Sequence, residues 1–106
     1  MKAELLDREF KARGVEYTTG RVLLRPADAI DLVNRAADEG VPILTVDGFF
    51  VNSAAPEPPL EHFADYSAAA REGHGCWEEA DAFIRKRSAL GFLFEIGLGG
   101  DPLEAV

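Results

Sequence analysis

The strongest constraint on folding lies between Gly40 and Asn52, where Val41-Pro42-Ile43-Leu44-Thr45-Val46 forms a run of β-favouring apolar residues. Such a run, bounded by glycine and asparagine, is expected to be a buried strand. The Asp47-Gly48 pair inside it carries the residue types of a tight turn, so a reversal or kink is expected there, with the Asp47 carboxylate bonding nearby amides. Just upstream, Pro26 suits the first turn of a helix. Ile30, Val33 and Ala37, flanked by Ala29, Leu32 and Ala36, make an apolar face that ends at Gly40. Asp28, Asp31, Asp38 and Glu39 are expected to point outward. A helix that leads into a strand across so short a connection must lie against the sheet, which points to an α+β fold.

The flanking segments extend this pattern. Lys2 to Arg13 has Leu6 and Phe10 four apart and three i,i+4 charge pairs, Glu4/Arg8, Asp7/Lys11 and Glu9/Arg13, and reads as a helix stopped by Gly14. Val15 to Tyr17 is a short extended piece, Thr18-Thr19-Gly20 a turn, and Arg21 to Leu24 a strand. Trp77, Ala80, Phe83 and Ile84 mark another amphipathic helix. Its acids Glu78, Glu79 and Asp81 come early and Arg85, Lys86 and Arg87 come late, as the helix dipole favours. After Gly91, Phe92-Leu93-Phe94-Glu95-Ile96 reads as a last strand in which Glu95 alternates toward the opposite face. The expected architecture is one mixed or antiparallel sheet of three to five short strands, with helices beginning near Ala3, Ala27 and Trp77 packed mainly on one face.

With 106 residues the chain has room for one core, so a single domain over 1–106 is expected. The single Cys76 offers no internal disulfide, and no charged n-region with an apolar h-region precedes the first helix, so the expected compartment is the cytoplasm. No apolar run approaches a membrane span.

Residues 53–61 hold three prolines and are expected to form a loop, and 97–106 a loose tail. His62 to Tyr66 fits either a helical turn or a strand. The chain has a net charge of −8, and its halves differ: residues 1–53 carry seven basic and nine acidic side chains, residues 54–106 four and ten. Between Glu57 and Asp81 there are seven acids against the lone Arg71. This balance disfavours nucleic acid, whose phosphates require clustered cations. It is either a solubility device or a surface for a basic protein. In the second case Glu57, Glu61, Asp65, Glu72 and Glu78 furnish the rim beside His62, with Tyr66 or Trp77 as an aromatic anchor; core packing is the alternative for Trp77.

Chemistry has few candidates. His62 between Glu61 and Asp65 has the residue types of a general base, without an accompanying nucleophile or metal. A polar pocket of Asp47, His62, Asp65 and Glu95 is the alternative small-enzyme or ligand-binding arrangement, and a structural or regulatory subunit is a third reading. His74 and Cys76 supply two soft ligands where structural zinc takes four, so neither a metal nor a cofactor is expected.

The order Gly40-Val41-Pro42-Ile43, Val46-Asp47-Gly48-Phe49-Phe50, Pro59-Leu60-Glu61-His62, Asp65-Tyr66-Ser67, Trp77 through Phe83-Ile84, and Phe94-Glu95 resembles bacterial immunity proteins of polymorphic toxin systems, closest to the Immunity protein 40 family. The resemblance covers about residues 21–97, as a spaced pattern that leaves the N-terminal helix outside. It implies a non-enzymatic protein that binds a cognate toxin domain and blocks it, with no catalytic residues to carry over. A toxin that handles nucleic acid is itself basic, and an acidic inhibitor complements it. The protein is then expected to be a monomer or homodimer.

Overall fold

A computed structural model of the chain describes residues 2–18, 21–50, 63–90 and 92–99. Their order is α1 (Lys2–Lys11), β1 (Val15–Thr18), β2 (Arg21–Leu23), α2 (Pro26–Glu39), β3 (Ile43–Phe50), β4 (Phe63–Asp65), α3 (Ser67–Arg71), α4 (Trp77–Arg87), a 3-10 turn (Ser88–Leu90) and β5 (Phe92–Leu98). β3 is the centre of a three-stranded antiparallel sheet in the order β4-β3-β5. β1 and β2 pair antiparallel as a separate ribbon. The ribbon is tied to the β5 edge through Leu24, whose N–H and C=O both bond Phe94, at 2.7 and 2.8 Å. The fold is α+β.

One apolar cluster joins these elements. Leu6 and Phe10 of α1, Ala29, Leu32, Val33 and Ala36 of α2, and Ala80 and Ile84 of α4 meet Val46, Phe92 and Phe94 of the sheet. Fully burying an aromatic or branched side chain contributes roughly 1.5–3 kcal/mol, so this cluster is the main source of stability. The local reason for α2 is visible at both ends. Pro26 opens it, and Gly40 closes it at φ 73°, a left-handed conformation that glycine adopts without strain. Val41 N–H then reaches back to the Ala36 carbonyl at 2.8 Å and launches the chain toward β3. Buried Ala29, Leu32, Val33 and Ala36 define the inner face, and Ile30 and Ala37 sit at its margin.

Several expectations are corrected. Asp47-Gly48 forms no turn: β3 runs through it, with Asp47 opposite both Phe63 and Glu95 and Gly48 opposite Phe94. The turn preference loses because the residues on either side of the pair, Val46 and Phe49, both find partners on β5 rather than on each other. α1 ends at Lys11, before Arg13, and Gly14 serves close approach as well as termination. A Cβ there would lie 2.1 Å from Val22 Cγ1 and 2.7 Å from the Leu23 carbonyl oxygen. Residues 97–99 are not a loose tail, because Gly97 and Leu98 belong to β5 and Gly99 N–H bonds the Pro42 carbonyl at 2.8 Å. Both glycines fit where a side chain would not: a Cβ at Gly97 meets Thr45 Oγ1 at 2.4 Å and one at Gly99 meets the Pro42 ring at 2.4 Å. Residues 63–65 take the strand alternative, and α3 is a further short helix. The proline-rich 53–61 segment, Gly91 and residues 100–106 lie outside the described residues.

The outward acids of α2 are largely engaged. Arg13 reaches Asp31 at 2.6 Å, Glu9 at 3.5 Å and Asp28 at 3.6 Å, and its guanidinium lies 4.4 Å from the centre of the Phe10 ring. Arg35 grips both carboxylate oxygens of Glu9, at 2.9 and 3.4 Å, and approaches Glu39 at 3.9 Å. These charges stitch α1 to α2 on the solvent side of the Leu6 and Phe10 contact. The Asp31 hydrogen bond above all raises the Arg13 pKa, and the Glu9 bond does the same for Arg35.

Candidate functional site

The acidic surface begins where β4 passes into α3. Asp65 is exposed at the end of β4, opposite Thr45. Its carboxylate accepts the Ser67 N–H at 2.9 Å and also the Ser67 hydroxyl. This is the Asx arrangement that initiates a turn, and it covers a donor at the start of α3. The Ser67 hydroxyl first, and its N–H second, hold the Asp65 carboxyl below the usual carboxylate range, so its negative charge persists into more acidic solution. Phe63 lies two residues earlier on the same face of β4 and is 42 % exposed, a large value for an aromatic side chain. Glu72 follows α3 and Glu78 lies in the first turn of α4, both exposed. Among the described residues none of Asp65, Glu72, Glu78 and Glu79 forms a salt bridge, whereas Asp81 is held by Arg85 at 2.9 Å.

Tyr66 and Trp77 support this surface from below. Tyr66 N–H bonds the Leu44 carbonyl at 2.7 Å, and its half-buried ring packs on the core. Burial first, then the neighbouring Cys76 and Glu79, raises the phenol pKa, with Arg87 acting the other way. Trp77 also packs on the core and donates Nε1–H to the Val41 carbonyl at 2.7 Å. Its ring covers Gly75, where a Cβ would lie 2.2 Å from it. Trp77 is therefore a structural fastener between α4 and the start of β3, and the exposed aromatic is Phe63. The pattern Phe63/Tyr66 hides that distinction, because a helix would place both on one side, whereas a strand followed by a turn separates them.

Cys76 precedes α4 at φ 59°, an uncommon conformation for a non-glycine residue. It is buried, and burial, reinforced by the Glu79 charge and a hydrogen bond with Glu79, raises its thiol pKa. His74 is exposed while Cys76 is buried, and among the described residues no three His, Cys, Asp or Glu side chains gather to hold a metal ion.

Of the seven partner-surface residues expected from the sequence, Asp65, Tyr66, Glu72 and Glu78 are placed as above. Glu57, Glu61 and His62 lie outside the described residues. Of the alternative pocket, Asp47 and Glu95 stand opposite each other on β3 and β5, and Asp65, on β4, is two register pairs away from Asp47. Among the described residues a cleft of about 240 Å³ lies between α1, β2 and β5. Phe10, Val22, Leu24, Leu32 and Ile96 make its apolar lining. Asp7, Lys11, Thr45 and Glu95 supply its polar groups, and neither Asp47 nor Asp65 lines it. Reading the sequence missed Asp7, Lys11 and Thr45, whose only signal was Gly97, the residue lacking a side chain beside Thr45.

A scan against protein-family models gives no match, and a search of curated proteins gives no significant relative. The resemblance to immunity proteins therefore rests on the spaced residues alone. No described helix is long and apolar enough to cross a membrane.

Proposed function

We propose that the chain is a non-enzymatic immunity protein that binds and neutralises a cognate, basic toxin domain in the cytoplasm of its producer. The observation that carries this reading is the surface around β4, where exposed Phe63 and Asp65 share a strand face, exposed Glu72 follows α3 and exposed Glu78 lies in the first turn of α4. An aromatic contact among carboxylates is a composition suited to a protein partner of opposite charge. The aromatic contributes desolvated area, and the carboxylates accelerate encounter. Hydrogen bonding fixes Asp65 in place, and the α3–α4 segment is mounted on the core through Tyr66 and Trp77, so little ordering is required on binding.

The resemblance to immunity proteins adds the identity of the partner class to this physical reading. Co-expression with the toxin domain encoded beside this chain tests it. The expected result is restored growth and a stable one-to-one complex; continued toxicity with no complex overturns the reading. Phe63→Ala combined with Asp65→Lys is expected to weaken that complex while leaving the free protein folded.

A further inference from the structure

The outer edge of β5 is where the sheet is left unfinished. Leu24 exchanges both backbone hydrogen bonds with Phe94, at 2.7 and 2.8 Å, so the peptide groups of Phe94 point away from β3. Backbone direction alternates along an antiparallel strand, and the peptide groups of Ile96 and Leu98 therefore point the same way. Gly99, of the opposite set, fixes the phase: its N–H reaches back across to the Pro42 carbonyl at 2.8 Å. Among the described residues nothing pairs with the N–H or C=O of Ile96 or Leu98.

The cleft beside α1 leaves this edge within reach. Ile96 lines it from the core face of β5, with Phe10, Leu24 and Leu32, whereas Glu95 and Gly97 line it from the opposite face. A cleft that touches both faces of a strand wraps its edge. Ile96, Gly97 and Leu98 are only half-buried. The charged groups of α1 at this cleft, Asp7 and Lys11, are paired with each other at 3.1 Å, so they select neither sign. Ile96-Gly97-Leu98 also carries no charge and no proline, the devices that usually keep an open edge from pairing.

We infer that β5 is a dimer interface, at which the 96–98 edge pairs antiparallel with the same edge of a second copy about a twofold axis at Gly97. This register uses both open residues, because Ile96 of each copy exchanges its bonds with Leu98 of the other. Moving the axis to Ile96 would pair Leu98 with Phe94, which Leu24 already occupies. With the axis at Gly97, Ile96 and Leu98 meet on one sheet face and Glu95 stands opposite Gly99 of the second copy, so no like charges oppose each other. Such an isologous contact closes on itself. The product is one continuous sheet, β4-β3-β5-β5-β3-β4, ended on both sides by a β4 edge that is three residues long and carries exposed Asp65. The Phe63 and Asp65 surfaces stay uncovered at its two ends, so the dimer stands independently of the immunity reading.

The test is amide hydrogen exchange of the unmodified chain by NMR across a concentration series, with sedimentation velocity on the same samples. The expected result is a mass that doubles as concentration rises from micromolar to millimolar, with exchange at Ile96 and Leu98 slowing about tenfold or more over that range. Because each copy has a net charge of −8, added salt is expected to favour the dimer. Leu98→Pro deletes an edge donor that the ladder to β3 does not use, and is expected to raise the dimer dissociation constant about tenfold or more. Leu98→Lys, which charges the edge, carries the test if Leu98→Pro no longer unfolds cooperatively. A monomer throughout, a dimer whose Ile96 and Leu98 amides still exchange quickly, or unchanged dimerisation in these variants overturns the assignment. Protection of those amides only in a complex with the toxin domain gives the edge to that partner and overturns it as well.

Discussion

The α1–α2 side of the molecule and the β4–α3–α4 side are both rich in acids, yet they use them differently. On the first, Glu9, Asp28, Asp31 and Glu39 surround Arg13 and Arg35, and every one of these carboxylates has a guanidinium within 4 Å. On the second, Asp65, Glu72 and Glu78 face solvent with only Arg71 among them in sequence. The same residue type thus closes a helix pair in one place and leaves an electrostatic field in the other. What differs is the supply of arginine in three dimensions: the turn after α1 brings Arg13 and α2 brings Arg35 to the α1–α2 surface, whereas the basic residues of α4 are gathered at its far end, away from Glu78. Charge at a surface becomes available for recognition only where the fold does not neutralise it.

That contrast can be broken most forcefully at Phe10. It is 1 % exposed beneath Arg13, and Phe10→Ala is expected to cost about 3–5 kcal/mol in urea unfolding. Arg13→Ala, on the solvent side of the same contact, should cost far less, and its deficit should shrink in high salt because exposed ion pairs are screened. If the two variants are equally destabilised, charge rather than burial holds α1. Next in size is Trp77→Phe, which keeps an aromatic ring but removes the donor to Val41 and part of the cover over Gly75. A loss of about 1–3 kcal/mol is expected, the range for leaving a buried acceptor unsatisfied.

On the acidic side, Glu72→Lys with Glu78→Lys is expected to change stability by no more than about 0.5 kcal/mol, since both are exposed and outside any salt bridge among the described residues. The same pair of substitutions should slow association with a basic partner by about tenfold or more at low salt, measured by stopped flow. An unchanged rate would mean that the field plays no part in recognition. The smallest effect is expected at Asp65. Its folded-state pKa is depressed, so the contribution of its charge is present above the unfolded value of about 3.9 and is lost as pH falls through the lower folded value. Asp65→Asn should therefore be less stable than the parent near neutral pH and match it once the parent's carboxyl is protonated, as read by thermal melts across acidic pH.

Legibility from sequence followed the range of the forces involved. Pro26 and Gly40 announced α2 because both act within a turn of helix, and the acids and bases at the two ends of α4 announced its direction for the same reason. Asp47-Gly48 misled, because the pair also favours a tight turn and only the pairing of Val46 and Phe49 with β5 suppresses it. Helical spacing alone puts Ile30 and Ala37 on the α2 apolar face, yet they sit at its margin, since the inner stripe is decided by what α4 and β5 present to it. The acidic surface was legible in part. Asp65, Glu72 and Glu78 could be expected to be exposed from charge alone, but the exposed aromatic, on the same strand face as Asp65, is Phe63 rather than Trp77, a matter of strand against helix.

By itself the sequence determined the class of fold, the main helices and strands and the uneven distribution of charge. These depend on periodicity, capping residues and composition, all of which are local. The tertiary structure alone decided that Arg13 and Arg35 neutralise the acids of α2, that Trp77 is a fastener, and that Gly97 opens Thr45 to a cleft lined by α1. Each of these joins residues far apart in the chain, whose meeting depends on how the helices dock on the sheet and which strand accepts which partner.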